Sequence, residues 1–145
     1  MTAFDFPVTV FFDSDAVIAG SASSSGASYL LLQLSELGLI RGMVSEQVLE
    51  ECRRNIAAKL PAALPIFNKV IEHALVVQSN PSQRWLSKVA NQAHLKDIPI
   101  LAAALKAKAL FLVTFNVKDY KPLASLGIKI VQPGEMLQNI RESLS

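Results

Sequence analysis

Apolar residues along this chain fall into short blocks separated by longer amphipathic stretches. The blocks are rich in β-branched and aromatic side chains, and they predict strands at 8–12, 40–45, 74–78, 109–115 and 128–132. The first block, VTVFF, is followed at once by acidic residues, although a continuous block of this kind is typical of a strand buried on both faces.

The stretches between the blocks show helical periodicity with recognisable ends. Gly38 terminates the helix after the first strand, Ser45 is an N-cap candidate, and Asn80-Pro81 is expected to open a later helix. The small polar segment 21–28 is expected to be a loop. The predicted helices cover residues 28–37, 46–60, 62–73, 80–93, 97–108, 122–127 and 133–144.

Strands and helices alternate along the whole chain, which predicts an α/β fold with a parallel central sheet and helices on both faces. The 145 residues are the usual size of one domain, and no repeat, low-complexity run or linker interrupts them. We therefore expect a single domain spanning residues 1–145.

Composition narrows the class of protein only in part. The chain is 51% hydrophobic, and its net charge of +2 neither requires nor excludes a polyanionic partner. Its single cysteine suits a reducing cytosol, and the start MTAFDFPV lacks the features of a signal peptide. The longest apolar stretch carries Lys106 and Lys108, so it predicts a buried helix and strand. We expect a soluble cytoplasmic protein with no membrane partner.

Acidic and polar residues follow two of the predicted strands. Asp13 comes directly after strand 8–12, and Asn116 and Asp119 lie in the loop after strand 109–115. In parallel α/β sheets ligands bind at the carboxyl ends of the strands, so these side chains are expected at one edge.

Two helix starts bring further acids to that edge. Asp97 opens the helix before strand 109–115, and Glu50 and Glu51 lie in the first turns of the helix after the second strand. Clustered carboxylates repel one another, and a hard divalent cation such as Mg²⁺ or Mn²⁺ relieves the repulsion. His73 and His94 are not expected near this edge, so the donor set disfavours zinc.

Each of these acids also has an ordinary structural interpretation. Asp13 and Asp97 are suited to cap helices, Glu51 to a solvated helix face and Asp119 to a loop. Only their joint placement favours a site.

Four segments, in order, resemble the motifs of PIN-domain proteins: VTVFFDSDAVIAG, VSEQVLEECRRNI, LKDIPILAAALKAKALFLVTFNVKDY and IVQPGEML. The resemblance implies a three-layer α/β/α sandwich and a metal-dependent ribonuclease. By position, the resemblance matches the four acids of the family with Asp13, Glu51 (or its neighbour Glu50), Asp97 and Asp119. It also matches Thr114 with the polar residue that closes the fourth strand, and Asn116 with a position that some members fill with Asp.

The resemblance further implies one or two Mg²⁺ or Mn²⁺ ions, an RNA substrate cut to leave 5′-phosphate and 3′-hydroxyl ends, and for many small members an antitoxin partner. Family members usually have Asn where this chain has Asp15. A homodimer is compatible with so apolar a chain. The side chains suggested as contacts to the RNA backbone are Arg53, Arg54, Lys118 and Lys121.

Two other functions remain open from the sequence. FFDSDAV also resembles the opening of haloacid-dehalogenase-type phosphatases, with Asp13 as nucleophile and Asp15 as acid/base, although a catalytic Lys has no convincing place. The other is a catalytically inactive PIN-like binding module, which would not need to bind Mn²⁺.

Overall fold

A computed structural model describes residues 4–145 of the chain, so the first three residues of the predicted domain lie outside the described range. One five-stranded sheet forms the centre, in the order β3-β2-β1-β4-β5, and every neighbouring pair is parallel. The strands are β1 (Val8–Phe12), β2 (Ile40–Ser45), β3 (Leu75–Gln78), β4 (Phe111–Val113) and β5 (Lys129–Val131).

Seven α-helices connect and follow these strands within the described residues. They are α1 (Ser14–Ala22), α2 (Ala27–Glu36), α3 (Glu46–Lys59), α4 (Leu64–His73), α5 (Gln83–Lys88), α6 (Ile98–Lys106) and α7 (Pro133–Leu144). Single 3₁₀ turns lie at Pro61–Ala63, Leu95–Asp97, Val117–Asp119 and Ala124–Leu126.

The helices form layers on both faces of the sheet, which confirms the predicted three-layer α/β/α architecture. Right-handed crossovers put α1 to α4 on one face, where α7 packs against α2, and put α5 and α6 on the other. The central strands β1 and β4 are buried on both sides, and Val10, Phe11 and Phe12 of β1 are fully enclosed, whereas Val76 and Val77 of the edge strand β3 are exposed. Continuous apolar blocks are what such a doubly covered sheet requires.

The chain order of the strands creates a crevice at the centre of the sheet. From β1 the chain moves outward to β2 and β3, then crosses back to β4 and β5 on the other side of β1. The carboxyl ends of β1 and β4 are therefore the topological switch point, where α/β proteins bind ligands.

Helix α1 is absent from the predicted elements. Its sequence, SDAVIAGSA, has no apolar stripe at helical spacing, because its buried side chains are small: Ala16, Val17, Gly20 and Ser21. A Cβ on Gly20 would lie 2.5 Å from Cδ1 of Leu32, so the close packing of α1 on α2 depends on this glycine.

The predicted helix at 80–93 is wrong at both ends. Asn80 does not cap it; its side-chain oxygen accepts a hydrogen bond from the backbone N–H of Gln47 at 2.8 Å, while Ser82 precedes the first turn of α5. The helix ends at Lys88, and Asn91 takes a left-handed conformation with φ of 64°. The segment after it turns back toward the carboxyl edge of the sheet.

No helix in the described part of the chain is long and apolar enough to cross a membrane.

Candidate active site

Asp13 lies at the switch point, one residue beyond β1, and only 7% of it is exposed. Its backbone N–H extends the sheet by donating to the carbonyl of Val113 at 2.9 Å. Its side-chain Oδ1 accepts from the N–H of Ser14 at 2.8 Å, which caps α1. The acid that follows the first strand is therefore held by both its backbone and its carboxylate.

The second oxygen of Asp13 accepts two hydroxyl groups. Thr114, directly after β4, donates its hydroxyl to Oδ2 at 3.0 Å, and the Tyr120 hydroxyl donates to the same oxygen at 2.7 Å. Burial raises the pKa of Asp13 above its ordinary value, and the hydrogen bonds from Tyr120, Ser14 and Thr114 only partly oppose that effect. These donors favour the ionised carboxylate in a place where desolvation disfavours it.

Asp15 sits beside Asp13 on the first turn of α1 and faces the loop after β4. Its Oδ2 accepts the backbone N–H of Phe115 at 3.1 Å and the side-chain amide of Asn116 at 3.0 Å. Burial, followed by the charge of Asp13, raises the pKa of Asp15 to about 6. The amide of Asn116 is thus occupied by Asp15.

Glu51 reaches the same place from α3, the helix that Ser45 caps by accepting the N–H of Val48. Its Oε2 accepts from the hydroxyl of Ser14 at 3.1 Å, and its Oε1 from the side-chain amide of Gln47 at 3.2 Å. Glu50, the neighbouring alternative, is exposed and lines an open groove with Glu51 and Arg54, but it does not line the cavity that contains Asp13. The structure therefore places Glu51 rather than Glu50 beside Asp13.

Asp97 and Asp119 complete the acidic group from the far side. Asp97 occupies the N-cap position of α6, but its carboxylate makes no capping hydrogen bond. Burial raises its pKa, and the charge of Asp13 adds to the rise. Asp119 is positioned through its backbone, because its carbonyl accepts the N–H of His94 at 2.7 Å. The prediction that Asp97 stands at the N-cap of this helix is confirmed, but its carboxylate is left free of a capping role.

These side chains surround one small cavity of about 140 Å³, called the acidic cavity below. Five of its eight lining residues are acidic; the eight are Asp13, Ser14, Asp15, Glu51, Lys96, Asp97, Asn116 and Asp119. Carboxylates from four separate chain segments thus share one space at the carboxyl edge.

The carboxylate oxygens of this cavity suit a hard cation, but they do not converge on a single point. Among residues 4–145, no three His, Cys, Asp or Glu side chains are arranged to hold one ion jointly. Like charges keep such carboxylates apart, and two of the acids are already hydrogen-bonded to Ser14. Because Mg²⁺ is usually bound through one or two carboxylates and keeps several waters, the arrangement fits such an ion without a three-carboxylate cage.

Sequence reasoning missed three contributors to this site. Tyr120 and Ser14 donate to the acids, and Lys96 lines the cavity. The aromatic position directly after Asp119 was the only signal for Tyr120. The expectation that His94 lies away from this edge is wrong, because it contacts Asp119 through the backbone and shares a second cavity with it.

The suggested RNA-contacting side chains lie on two sides of the acidic cavity. Lys118 and Lys121 line the second cavity with Asp119. Arg54 lies in the open groove beside Glu51, and Arg53 is exposed on α3.

A family model described as the PIN domain matches residues 9–118, a span that holds every one of the acidic residues above except Asp119. No curated protein matches the chain. VapBC2 from Rickettsia felis, solved bound to a DNA fragment from its promoter, has a similar fold, with a TM-score of 0.62 at 16% identity. The alignment covers 85% of this chain and 98% of that one.

A second solved structure, the sarcin-ricin loop cleaving toxin VapC20 from Mycobacterium tuberculosis, aligns with a TM-score of 0.49 at 14% identity, over 71% of this chain and 86% of that one. At these identities the structural likeness concerns the fold. The family model covers most of the chain and confirms the resemblance found in the sequence motifs. The chain belongs to the PIN domain family.

Proposed function

We propose that this protein is a metal-dependent ribonuclease that hydrolyses RNA phosphodiester bonds. The observation that carries the proposal is the acidic cavity, where carboxylates from four chain segments meet at the switch point of the sheet. Membership of the PIN domain family supports a nuclease over the phosphatase interpretation.

Asp13, Glu51, Asp97 and Asp119 would between them hold one or two Mg²⁺ or Mn²⁺ ions. Their oxygen donors match the preference of hard cations, and the burial that raises the pKa values of Asp13 and Asp97 supports the proposal, because a bound cation would offset the cost of negative charge there. When bound, such an ion lowers the pKa of a water and neutralises charge that develops on a phosphoryl group.

The protein's own donors orient the carboxylates for that task. Tyr120 and Thr114 hold one oxygen of Asp13 in the ionised form, while Ser14 and Gln47 hold the two oxygens of Glu51. Because these donors come from β4, its following loop, α1 and α3, the acids are positioned before any ligand binds. Hydrolysis would leave 5′-phosphate and 3′-hydroxyl ends, as the family resemblance implies.

The test is cleavage of a labelled RNA with Mg²⁺ or Mn²⁺ by the wild type and by Asp13→Asn, Asp97→Asn and Glu51→Gln. Each variant should lose about 100-fold or more in rate, because each removes a charge that would hold the ion. Circular dichroism should show the fold retained.

Glu50→Gln is the matched control, because Glu50 adjoins Glu51 on α3 but lies outside the acidic cavity. It should cleave at the wild-type rate. Equal cleavage by the wild type and all three cavity variants would refute the nuclease proposal. Calorimetric titration with Mn²⁺ separates an inactive binding module, which need not take up the ion.

We further propose that the nuclease acts as the toxin of a toxin–antitoxin pair. The support is the family resemblance of this chain, which we predict to be one small domain, together with a fold like that of the Rickettsia felis VapBC2 structure. Induced expression should arrest bacterial growth, and Asp13→Asn should abolish the arrest at equal protein level. Growth unaffected by the wild type would contradict the toxin role without touching the cleavage result.

A further inference from the structure

A second cavity of about 260 Å³ adjoins the acidic cavity and has the opposite chemical character. We call it the basic cavity; its lining residues are Asn91, Ala93, His94, Lys118, Asp119 and Lys121. Asp119 lines both cavities, so the two spaces are neighbours across one side chain.

The walls of the basic cavity are held together by backbone hydrogen bonds. The segments 91–94 and 118–121 run antiparallel, with a bridge between Ala93 and Tyr120. The N–H of His94 donates to the carbonyl of Asp119, and the N–H of Lys121 donates to the carbonyl of Gln92, both at 2.7 Å. Two remote chain segments therefore form one rim.

The same rim is joined to the acidic cavity. Tyr120, at the centre of the rim, donates its hydroxyl to Asp13 at 2.7 Å. The N–H of Leu123 donates to the side-chain oxygen of Gln92 at 2.8 Å and fastens the far end of the rim. These two hydrogen bonds tie the rim to the wall of the acidic cavity and to Gln92.

The side chains of the basic cavity are donors suited to an anion. Lys118 and Lys121 carry two ammonium groups, and His94 and Asn91 add N–H donors, against the single carboxylate of Asp119. None of the six lining residues is Phe, Tyr or Trp, so the cavity offers no ring of that kind on which a base could stack. Phosphate is the part of a nucleic acid that matches this donor set.

We infer that the basic cavity binds the phosphate next to the scissile phosphate on a single RNA strand. The inference rests on the proposed nuclease function and adds a requirement to its substrate. The strand must continue past the cleaved bond with a further phosphodiester on the side that enters the basic cavity. A bond lacking that neighbouring phosphate is then a poor substrate.

The experiment replaces single phosphodiesters around one cleavage site with uncharged methylphosphonates, one linkage at a time. In the wild type, replacement at one adjacent linkage should lower kcat/KM about tenfold, as expected for hydrogen bonds to a charged group. The double variant Lys118→Gln with Lys121→Gln should be slower on unmodified RNA and should show no further loss at that linkage.

Lys69→Gln is the matched control, because this exposed lysine of α4 lies outside both cavities. It should keep the wild-type sensitivity at every linkage. If methylphosphonates at both adjacent linkages leave the wild type unaffected, or affect the wild type and the double variant equally, the assignment of the basic cavity is overturned.

A binding measurement separates this inference from the nuclease proposal. Without divalent ions, the slope of log Kd against log salt for a fluorescent single-stranded RNA should fall by about 0.7 for each lysine removed from the basic cavity. A wild type that binds RNA but does not cleave it refutes the nuclease proposal, and the reduced slope of the double variant would still support the phosphate site. An unchanged slope overturns the phosphate site whatever the cleavage result.

Discussion

Asp13 shows how single donors set the state of a buried carboxylate. Its environment raises its pKa mainly by removing water, and its three donors counteract that rise. Tyr120 makes the shortest of those hydrogen bonds, and burial together with the nearby charge of Asp13 raises the pKa of its own hydroxyl, which keeps the proton on the tyrosine.

Tyr120→Phe should therefore weaken both stability and activity. Losing the hydroxyl leaves an oxygen of Asp13 with one donor fewer, so the free energy of unfolding should fall by about 1–2 kcal/mol in urea titrations. The pKa of Asp13 should rise, which shifts the acidic limb of the cleavage pH profile upward. Tyr29→Phe, on α2, is the control; equal pH profiles for Tyr120→Phe and the wild type would contradict this role.

Asp15 makes the metal-free protein sensitive to pH. Its pKa is raised from 3.8 to about 6 in the folded state, so folding gains most from this group at low pH, below its unfolded pKa. That gain is lost as pH rises through about 6, because the folded protein must then hold a second charge beside Asp13.

Asp15→Asn should remove this dependence. In EDTA, the wild type should lose about 1–2 kcal/mol more of its unfolding free energy than the variant between acid and neutral pH, after allowing for the partial exposure of the carboxylate. Chemical denaturation at a series of pH values measures the difference. The variant should still cleave RNA, whereas a phosphatase that uses Asp15 as acid/base would lose its activity.

At the scale of elements, hydrophobic blocks located all five strands, and the longest buried blocks belong to β1 and β4, which are covered on both faces. The predicted bounds of β2 agree with the structure, while β4 is shorter at both ends than the predicted block 109–115. Helix α1 was not predicted because its contacts are made by small residues. The end of α5 was predicted wrongly because no local sequence pattern marks Asn91 as left-handed. Tertiary packing decided these elements.

The close approach of α1 and α2 gives a prediction at this scale. Gly20→Ala should destabilise the protein by about 1–3 kcal/mol, since the new Cβ would crowd Leu32 and the backbone of Ser28. Gly134→Ala in α7 is the matched control, because nothing beyond its chain neighbours and its own helix backbone lies within 4 Å of the added Cβ. That control should be neutral or slightly stabilising; thermal melts that rank the two variants in the opposite order would refute the packing argument.

At the scale of the molecule, the position of the site could be predicted because a parallel sheet brings every strand end to one edge. That rule places Asp13 with Asp119. The sequence did not reveal which oxygens are hydrogen-bonded, or that His94 returns to the edge, because both depend on backbone turns between distant segments. Which hydroxyl donates to which carboxylate is decided only in the assembled fold.

Ion binding should appear as a change in global stability. Saturating Mn²⁺ at about 100 times its Kd adds roughly 2.7 kcal/mol, which corresponds to about 5–10 °C in Tm for a domain of this size. The shift should be larger near neutral pH than at about pH 5, because the raised pKa values of Asp13 and Asp97 make protons compete with the ion. Asp13→Asn should lose most of the shift. A Tm that does not respond to Mn²⁺ in the wild type would contradict a metal site here.

The hydrogen bonds that Thr114 and Tyr120 make to Asp13 join residues 101 and 107 positions apart in the chain. A ribosome therefore finishes the first acid long before it supplies the hydroxyls that orient it, and β4 must enter the sheet beside β1 before the cavity exists. A nascent or prematurely terminated chain that stops short of β4 would carry Asp13 and Glu51 without a working centre. Under the proposed nuclease function, this order of assembly withholds activity until the ribosome has passed Tyr120.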